Sequence, residues 1–347
     1  MVRKTMKQII ISKYGGPDVL KVQDVQTPIP KSDEILIKNH FSGVNFSEVM
    51  ARMKLYPGAP KPPCTIGGEC SGVIVGLGKQ VKGFSIGQRV MAFSQFKSYA
   101  SHVCTPERMV MPLPDEFSFE QGAAFPVTYI TAHQMLFDLG NLRFGDTILI
   151  HGAGGGVGTA AIQIAKSLDL KIIGTASKWK HPELKKMGVD CCIDYQKENI
   201  VKKVKSFTNN RGVDIILDPV GAKNWKMSYQ CLGIMGKLII FGDQDLVTGF
   251  KINPISALKE LWSMPKYKPM SLMSSNKSIM GYHLGRMQGA EEKIIRTVSA
   301  LNELAKNGHI SPIIDKVFPY TDSPSAHRYM QERKNFGKIL INFSQVK

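Results

Sequence analysis

The chain has 347 residues, 43% of them hydrophobic, and carries 45 Lys and Arg against 28 Asp and Glu, a formal charge of +17. That length exceeds the size at which single cores stop growing, so two domains are expected. No run of about 18 uncharged apolar residues is present, which argues against a membrane span, and the short apolar stretch Gln8–Ile11 is interrupted by Lys13 before it resembles a signal-peptide core. The expected location is therefore cytoplasmic. The positive charge suits an anionic partner such as a phosphorylated cofactor, nucleic acid or an acidic membrane surface. The lysines are dispersed and no nucleic-acid motif accompanies them, so a basic solvated surface is expected and specific nucleic-acid binding is not.

Along the first part of the chain, short strand-like runs at Gln8–Ser12, Ile35–Asn39, Gly72–Gly76 and Arg89–Ala92 are separated by turn clusters such as Tyr14-Gly15-Gly16-Pro17 and Tyr56-Pro57-Gly58. This texture is that of a mostly β domain. From Ile148 the pattern changes to alternating strands and helices. Strands are expected at Ile148–Ile150, Lys171–Gly174, Cys191–Ile193, Val213–Leu217, Lys237–Phe241 and Ser278–Tyr282. Helices are expected at Thr159–Leu168, Pro182–Met187, Glu198–Phe207 and Asn224–Leu232. Such alternation makes a doubly wound parallel sheet, whose ligands sit at the carboxyl ends of the strands. A long amphipathic helix follows at Glu291–Lys306, stopped by Asn307-Gly308, and the terminal strands Val317–Pro319 and Lys338–Asn342 are expected to return to the first domain.

The first expected strand of the parallel sheet runs directly into His151-Gly152-Ala153-Gly154-Gly155-Gly156-Val157-Gly158. Glycines there allow a sharp turn and close approach of a ligand to backbone, and the helix that follows offers unpaired amides to an anion. The spacing Ala153-x-Gly155-x-x-Gly158 is a variant of the dinucleotide fingerprint, with alanine at its first glycine. About twenty residues on, where NAD enzymes usually place Asp or Glu, the strand end reads Gly174-Thr175-Ala176-Ser177-Lys178-Trp179-Lys180 and contains no acid. A carboxylate would repel a 2′-phosphate, whereas serine and lysine attract one, so NADPH is expected.

Six cysteines, at 64, 70, 104, 191, 192 and 231, form no Cys-x-x-Cys pair and read as reduced thiols. His40, His102 and His133 read as surface or core imidazoles. Between the fifth and sixth strands of the parallel sheet, Asp243–Lys277 is longer than a simple connection, and over Leu258–Met270 lysines alternate with Trp, Tyr, Met and Leu. Residues 251–277 suit a lid or a dimer contact, the preferred readings, or a peripheral contact with an anionic membrane; Pro265 and Pro269 prevent one continuous helix.

The ordered motifs Tyr14-Gly15-Gly16-Pro17, Gly43-Val44-Asn45-Phe46, Gly67-Gly68-Glu69-x-x-Gly72, Gly87-x-Arg89-Val90, Tyr129-Ile130-Thr131-Ala132, Gly152–Gly158, Asp218-Pro219-Val220-Gly221 and Gly337-Lys338 span nearly the whole chain. Together they resemble the medium-chain dehydrogenase/reductase superfamily and its zinc-free quinone oxidoreductase branch. Phe137–Leu142, Gly174–Ser177, Ile193-Asp194-Tyr195 and Gly281–Gly285 are most similar to the subgroup of the synaptic vesicle amine transport protein homologue. The resemblance implies an α/β fold: a GroES-like, mostly β catalytic domain with an inserted Rossmann domain, and an active site in the cleft between them. The boundaries expected are 1–124 for the first part of the catalytic domain, 125–284 for the Rossmann domain and 285–347 for the returning segment.

The resemblance also implies site roles. Zinc ligands of alcohol dehydrogenases in this superfamily correspond to Asn45 and Gly68, and Cys104 stands alone in the region of the structural zinc lobe, so no metal site is expected. Asn45 is implied beside the nicotinamide and the substrate oxygen, and Tyr56 in the loop over the substrate, where a phenol can donate a proton. Thr131 corresponds to a nicotinamide-contacting helix start, Gly242 to backbone beside the nicotinamide ribose, Ser177, Lys180 and Tyr195 to the 2′-phosphate subsite, and Asn335 and Lys338 to a stretch that returns to the cofactor. The implied activity is NADPH-dependent hydride transfer to a quinone or α,β-unsaturated carbonyl, in a homodimer paired through Ser278–Tyr282. A second class of function, lipid or partner binding at a membrane surface with little turnover, stays open.

Overall fold

A computed structural model describes residues 5–251, 253–287 and 289–346. It divides into two compact units, one comprising Met1–Thr128, Gly249–Ile252 and Ser311–Lys347, the other Tyr129–Thr248 and Asn253–Ile310. In chain order the first unit holds strands β1 (Thr5–Ile11), β2 (Leu20–Gln26), β3 (Glu34–Val44), β4 (Glu69–Leu77), β5 (Arg89–Phe93), β6 (His102–Pro106) and β7 (Val110–Pro112). The second holds β8 (Thr147–His151), β9 (Lys171–Ala176), β10 (Cys191–Asp194), β11 (Val213–Asp218), β12 (Leu232–Ile240) and β13 (Ser278–Gly281). The chain then returns to the first unit for β14 (Ile314–Pro319) and β15 (Lys338–Asn342).

In the first unit β1 and β2 form an antiparallel pair, and a seven-stranded sheet runs β14-β15-β3-β4-β5-β7 with β6 also on β3. Strand β15 lies antiparallel to β3, with Ile339 opposite Val44 and Ile341 opposite Ser42. The last strand of the chain thus completes a sheet begun near its start. Ile9, Ile11, Val44, Ile66, Tyr99, Ile339 and Ile341 share one buried cluster, so the alternating apolar positions of β1 and β15 face the same core.

The second unit is a six-stranded parallel sheet in the order β10-β9-β8-β11-β12-β13. The order reverses between β8 and β11, which is the switch point where such sheets bind ligands. Strand β8 is buried at every position, as a central strand covered on both faces requires. Strand β13 is the sheet's edge.

The structure differs from the sequence reading at several boundaries, the second unit beginning at Tyr129 rather than at residue 125. Residues 285–310 belong to the second unit, because helix Glu291–Lys306 buries Thr297, Leu301 and Ala305 there and Thr297 Oγ1 accepts from Gln134 Nε2 at 3.3 Å. The return to the first unit therefore begins at Ser311. Strand β12 starts at Leu232, where the sequence placed the end of a helix; Ala222–Cys231 is the helix, and Leu232 joins β11 opposite Val213. The long connection contains two short helices, Pro254–Ser263 and Pro269–Ser275, separated at the expected proline break.

Candidate active site

Strand β8 delivers the chain to Gly152, whose φ of +64° favours glycine. Gly155 is the extended N-cap residue of the 11-residue helix Gly156–Lys166. The first bond of that helix is Thr159 N to Gly155 O at 2.9 Å, so the amides of Gly156, Val157 and Gly158 precede it and point out of the helix start. A Cβ on Gly158 would lie 2.5 Å from Gly152 O and 2.6 Å from Ala153 O, so glycine is what lets the helix close onto the turn. Ala153 and Gly154 are buried. The alanine is tolerated because its partner on β9 is Gly174, whose added Cβ would stand 3.0 Å from the Ala153 Cβ. One methyl group fills the space that two would overfill.

Behind the turn lies a buried polar chain. His151 Nδ1 is 3.1 Å from Thr175 Oγ1, its Nε2 is 3.0 Å from Ser228 Oγ, and Ser228 donates to Asp218 Oδ2 at 2.6 Å. Because the Ser228 proton goes to the carboxylate, its oxygen accepts from His151 Nε2–H, and Nδ1 accepts from Thr175. Burial holds the His151 pKa below its usual value, with Asp218 opposing. Asp218 also accepts from Asn224 Nδ2 at 2.7 Å and Val220 N at 2.9 Å. The network locks the carboxyl ends of β8, β9 and β11 together.

At the ends of β9 and β10, Ser177 Oγ and Tyr195 OH are 3.2 Å apart. Lys180 is buried, with its Nζ 5.1 Å from the Trp179 ring centroid. Asp194 is buried and turned into its own loop, where Oδ1 accepts from Gln196 N at 3.1 Å. Gly242, after β12, has Pro219 O 3.2 Å from where its Cβ would be. Thr131 lies within helix Pro126–His133, buried, with its hydroxyl bonded to Tyr282, whose phenol donates to Gln134 Oε1 at 2.7 Å. Burial raises that phenol above its ordinary range.

In the first unit the site is a buried cluster around Asn45. This residue precedes helix Phe46–Arg52, and its backbone N donates to Glu48 Oε2 at 2.6 Å. Its Nδ2 donates to Glu69 Oε1 at 2.9 Å, and its Oδ1 accepts from Lys338 Nζ. Lys338 in turn pairs with Glu69 Oε1 at 2.5 Å, and Glu69 Oε2 accepts from Val127 N at 2.8 Å. Glu69 is 0% exposed, Lys338 3% and Glu48 4%. Burial raises the Glu48 carboxyl to about 7; Lys338 opposes this and Glu69 reinforces it. Two glycines make the room: a Cβ on Gly43 would be 2.3 Å from Glu69 Oε1, and one on Gly68 would be 2.9 Å from Glu48 Oε1. At the far end of the helix the fully buried Arg52 donates to Gly15 O at 2.5 Å, Gln331 Oε1 at 2.6 Å and His327 Nδ1 at 3.4 Å.

Of the residues named from sequence, Asn45 and Lys338 meet directly, as do Ser177 and Tyr195. Tyr56 is half-buried and edge-on to Phe96, with ring centroids 6.4 Å apart. Asn335 is tied to its own turn through Nδ2 and Gly337 O at 2.8 Å. Glu48, Glu69 and Gly174 were not named as site residues. The Asn-x-x-Glu spacing at Asn45 and Glu48 is a capping signal and could have located the first of them.

Zinc does not fit this cluster. At the two positions that supply ligands in zinc dehydrogenases, Asn45 has its amide engaged on both sides and Gly68 offers no donor, while the Lys338 ammonium already sits against the carboxylate. Among the described residues no group of three His, Cys, Asp or Glu could hold a metal ion. A dinucleotide does fit the second unit: free helix-start amides and the Gly158 approach follow β8 at the switch point, and the Ser177–Tyr195 pair lies at the ends of the next two strands, β9 and β10.

Comparison with known proteins covers both units. Residues 31–115 match the alcohol dehydrogenase GroES-like domain and residues 156–300 match the family described as zinc-binding dehydrogenase. The chain is 36% identical to the Rattus norvegicus synaptic vesicle membrane protein VAT-1 homolog over 97% of this chain and 84% of that one. It is 32% identical to the Rattus norvegicus quinone oxidoreductase over 98% of each. Among solved structures, the human VAT-1 homolog-like protein superposes with a TM-score of 0.86 at 31% identity, covering 99% of both chains. A mycobacterial protein complexed with NADPH gives a TM-score of 0.86 at 27% identity, over 97% of this chain and 99% of that one. With a GroES-like unit, a parallel dinucleotide-type sheet and relatives that match along nearly its whole length, the chain belongs to the medium-chain dehydrogenase/reductase superfamily of oxidoreductases.

Proposed function

We propose that this chain is an NADPH-dependent, zinc-independent reductase acting on quinones or α,β-unsaturated carbonyl compounds. The observation that carries the reading is the Asn45 cluster, in which an amide donor is backed by an ammonium at a position that the family resemblance matches to a zinc ligand. Bound NADPH supplies a hydride from its nicotinamide ring. The amides of Gly156, Val157 and Gly158 hold its pyrophosphate; Ser177, Tyr195 and Lys180 receive the 2′-phosphate, with no carboxylate at the end of β9 to repel it. Asn45 donates to the acceptor oxygen and favours the negative charge that develops there, without changing its own protonation. Tyr56 or solvent returns the proton. Such acceptors take hydride readily, which suits a site built from hydrogen-bond donors.

NADPH consumption followed against ortho-quinones, para-quinones and enones tests the reading, with Asn45→Ala and Tyr56→Phe alongside. Turnover of at least one class, lowered by about 10²-fold in Asn45→Ala, is expected; absence of oxidation across all three would sink it. Titration with both cofactors should give NADPH the higher affinity, and Lys180→Ala should weaken NADPH alone. The edge position of β13 also supports a homodimer paired there, which light scattering of the purified protein tests.

A second reading, action at a membrane surface, has one observation in its favour. Helix Pro254–Ser263 leaves Ile255 81%, Leu258 55% and Trp262 85% exposed, at one helical spacing. Lys251, Lys259, Lys266 and Lys268 are exposed around them, and the one acid between residues 253 and 277, Glu260, is buried. No helix among the described residues is long and apolar enough to cross a membrane. Flotation with phosphatidylcholine vesicles, with and without phosphatidylserine, separates the readings: binding that needs the anionic lipid and is lost in Trp262→Ala favours the second.

A further inference from the structure

The family resemblance implies that Lys338 reaches the cofactor, but the residue is 3% exposed and its ammonium lies inside the first unit against Asn45 and Glu69. We propose that Lys338 is a positioning residue that acts through Asn45: it fixes which end of the amide faces the acceptor and strengthens the hydrogen bond that end donates. This deepens the proposed reductase activity and rests on it.

The argument is one of donor counting. An ammonium has only donors, so the group of Asn45 that faces Lys338 is its carbonyl oxygen. A carboxylate has only acceptors, so the group that meets Glu69 is the amide nitrogen. The two ions therefore allow one amide orientation and forbid its flip. Of the two N–H bonds on Nδ2, one is given to Glu69 and the second is left for a ligand. Positive charge on Oδ1 withdraws electron density from the amide and makes that second N–H a stronger donor. Glu69 is itself held by Val127 N at 2.8 Å, so the frame does not depend on a mobile side chain.

A buried ion pair is expensive and is often replaceable by apolar residues without loss of stability. Its retention beside a candidate substrate-binding amide is explained by orientation. The arrangement also gives the returning strand β15 a part in the chemistry: it carries Lys338 from 293 positions away to the residue that opens helix Phe46–Arg52.

The test is a double-mutant cycle on the full-length protein, using NADPH and the best quinone found for the wild type. Lys338→Met should lower kcat by about tenfold or more and leave the KM for NADPH unchanged. In an Asn45→Ala background the same substitution should lower Tm again but lower kcat no further. If Lys338→Met leaves too little folded protein, Lys338→Met combined with Glu69→Gln removes both charges together and should show the same pattern. An equal loss of kcat in both backgrounds would overturn the inference, as would a raised KM for NADPH at unchanged kcat, which puts Lys338 on the cofactor. Wild-type protein inert toward every acceptor overturns the underlying activity and this inference with it, a failure visible before any variant is made.

Discussion

At the scale of single residues, Glu48 shows how the fold sets a proton. Its carboxyl rises from 4.5 to about 7 because it is buried, against the pull of Lys338. Folded protein therefore holds a proton there that the unfolded chain has released, and stability from this group falls as pH climbs from about 4.5 through about 7, then levels. The difference corresponds to roughly 3 kcal/mol. Glu48→Gln keeps an acceptor for the Asn45 backbone without titrating. Urea denaturation across that window should show the wild type losing about 3 kcal/mol relative to the variant; a gap independent of pH would contradict the assignment. Asn45 itself was legible through the motif around it. Its tie to Lys338 was not, because spacing tells which face a residue occupies and not which distant side chain meets it.

Elements repeat the contrast. The apolar runs of β8, β9 and β11 and the glycines between β8 and its helix were plain in the sequence, since a buried parallel strand and a tight anion-binding turn both demand particular residues. Gly158→Ala tests the turn: its methyl group would meet two carbonyl oxygens, so NADPH affinity should fall by about tenfold or more in fluorescence titration, with the sheet intact by circular dichroism. Helices Phe46–Arg52, Pro254–Ser263 and Ser323–Gln331 escaped the sequence reading because each is short. The second of these is docked by Glu260, whose Oε1 accepts from Ala222 N at 2.5 Å. Nearby, the carboxylate oxygens of Asp243 are buried, and burial, Glu260, Asp245 and Asp218 together raise it to about 7 against a backbone hydrogen bond from Leu246. Its ionisation above that pH sets two carboxylates against each other around Gly221. Asp243→Asn should gain in Tm over the wild type as pH rises from about 4 to about 7, and hold that gain at higher pH. A constant difference would mean that the carboxyl does not titrate there.

At the scale of the whole molecule, the first unit is discontinuous, and its halves depend on each other. Strand β15 pairs with β3, and Arg52 in the N-terminal half finds two of its three acceptors, His327 and Gln331, in the C-terminal half. Removal of residues 311–347 leaves a buried guanidinium without those acceptors and an apolar strand edge uncovered. Such a truncated protein should lose the protease resistance of residues 5–128 while the second unit keeps its own; equal resistance of the first unit in both proteins would refute this dependence. The sequence reading foresaw the return of the chain but placed its start too early, because an amphipathic helix such as Glu291–Lys306 does not say which sheet it covers.

The glycine at position 68 bears on whether substitutions could build a metal site here. A histidine there would push its Cβ toward the Glu48 oxygen that lies 2.9 Å away, a cysteine at position 45 would take the acceptor from Lys338, and the ammonium left behind would repel an incoming divalent cation. Each step is unfavourable until the others are in place. Zinc binding at this centre is therefore hard to reach one substitution at a time, and a variant carrying Gly68→His and Asn45→Cys should take up zinc only when Lys338 is replaced as well.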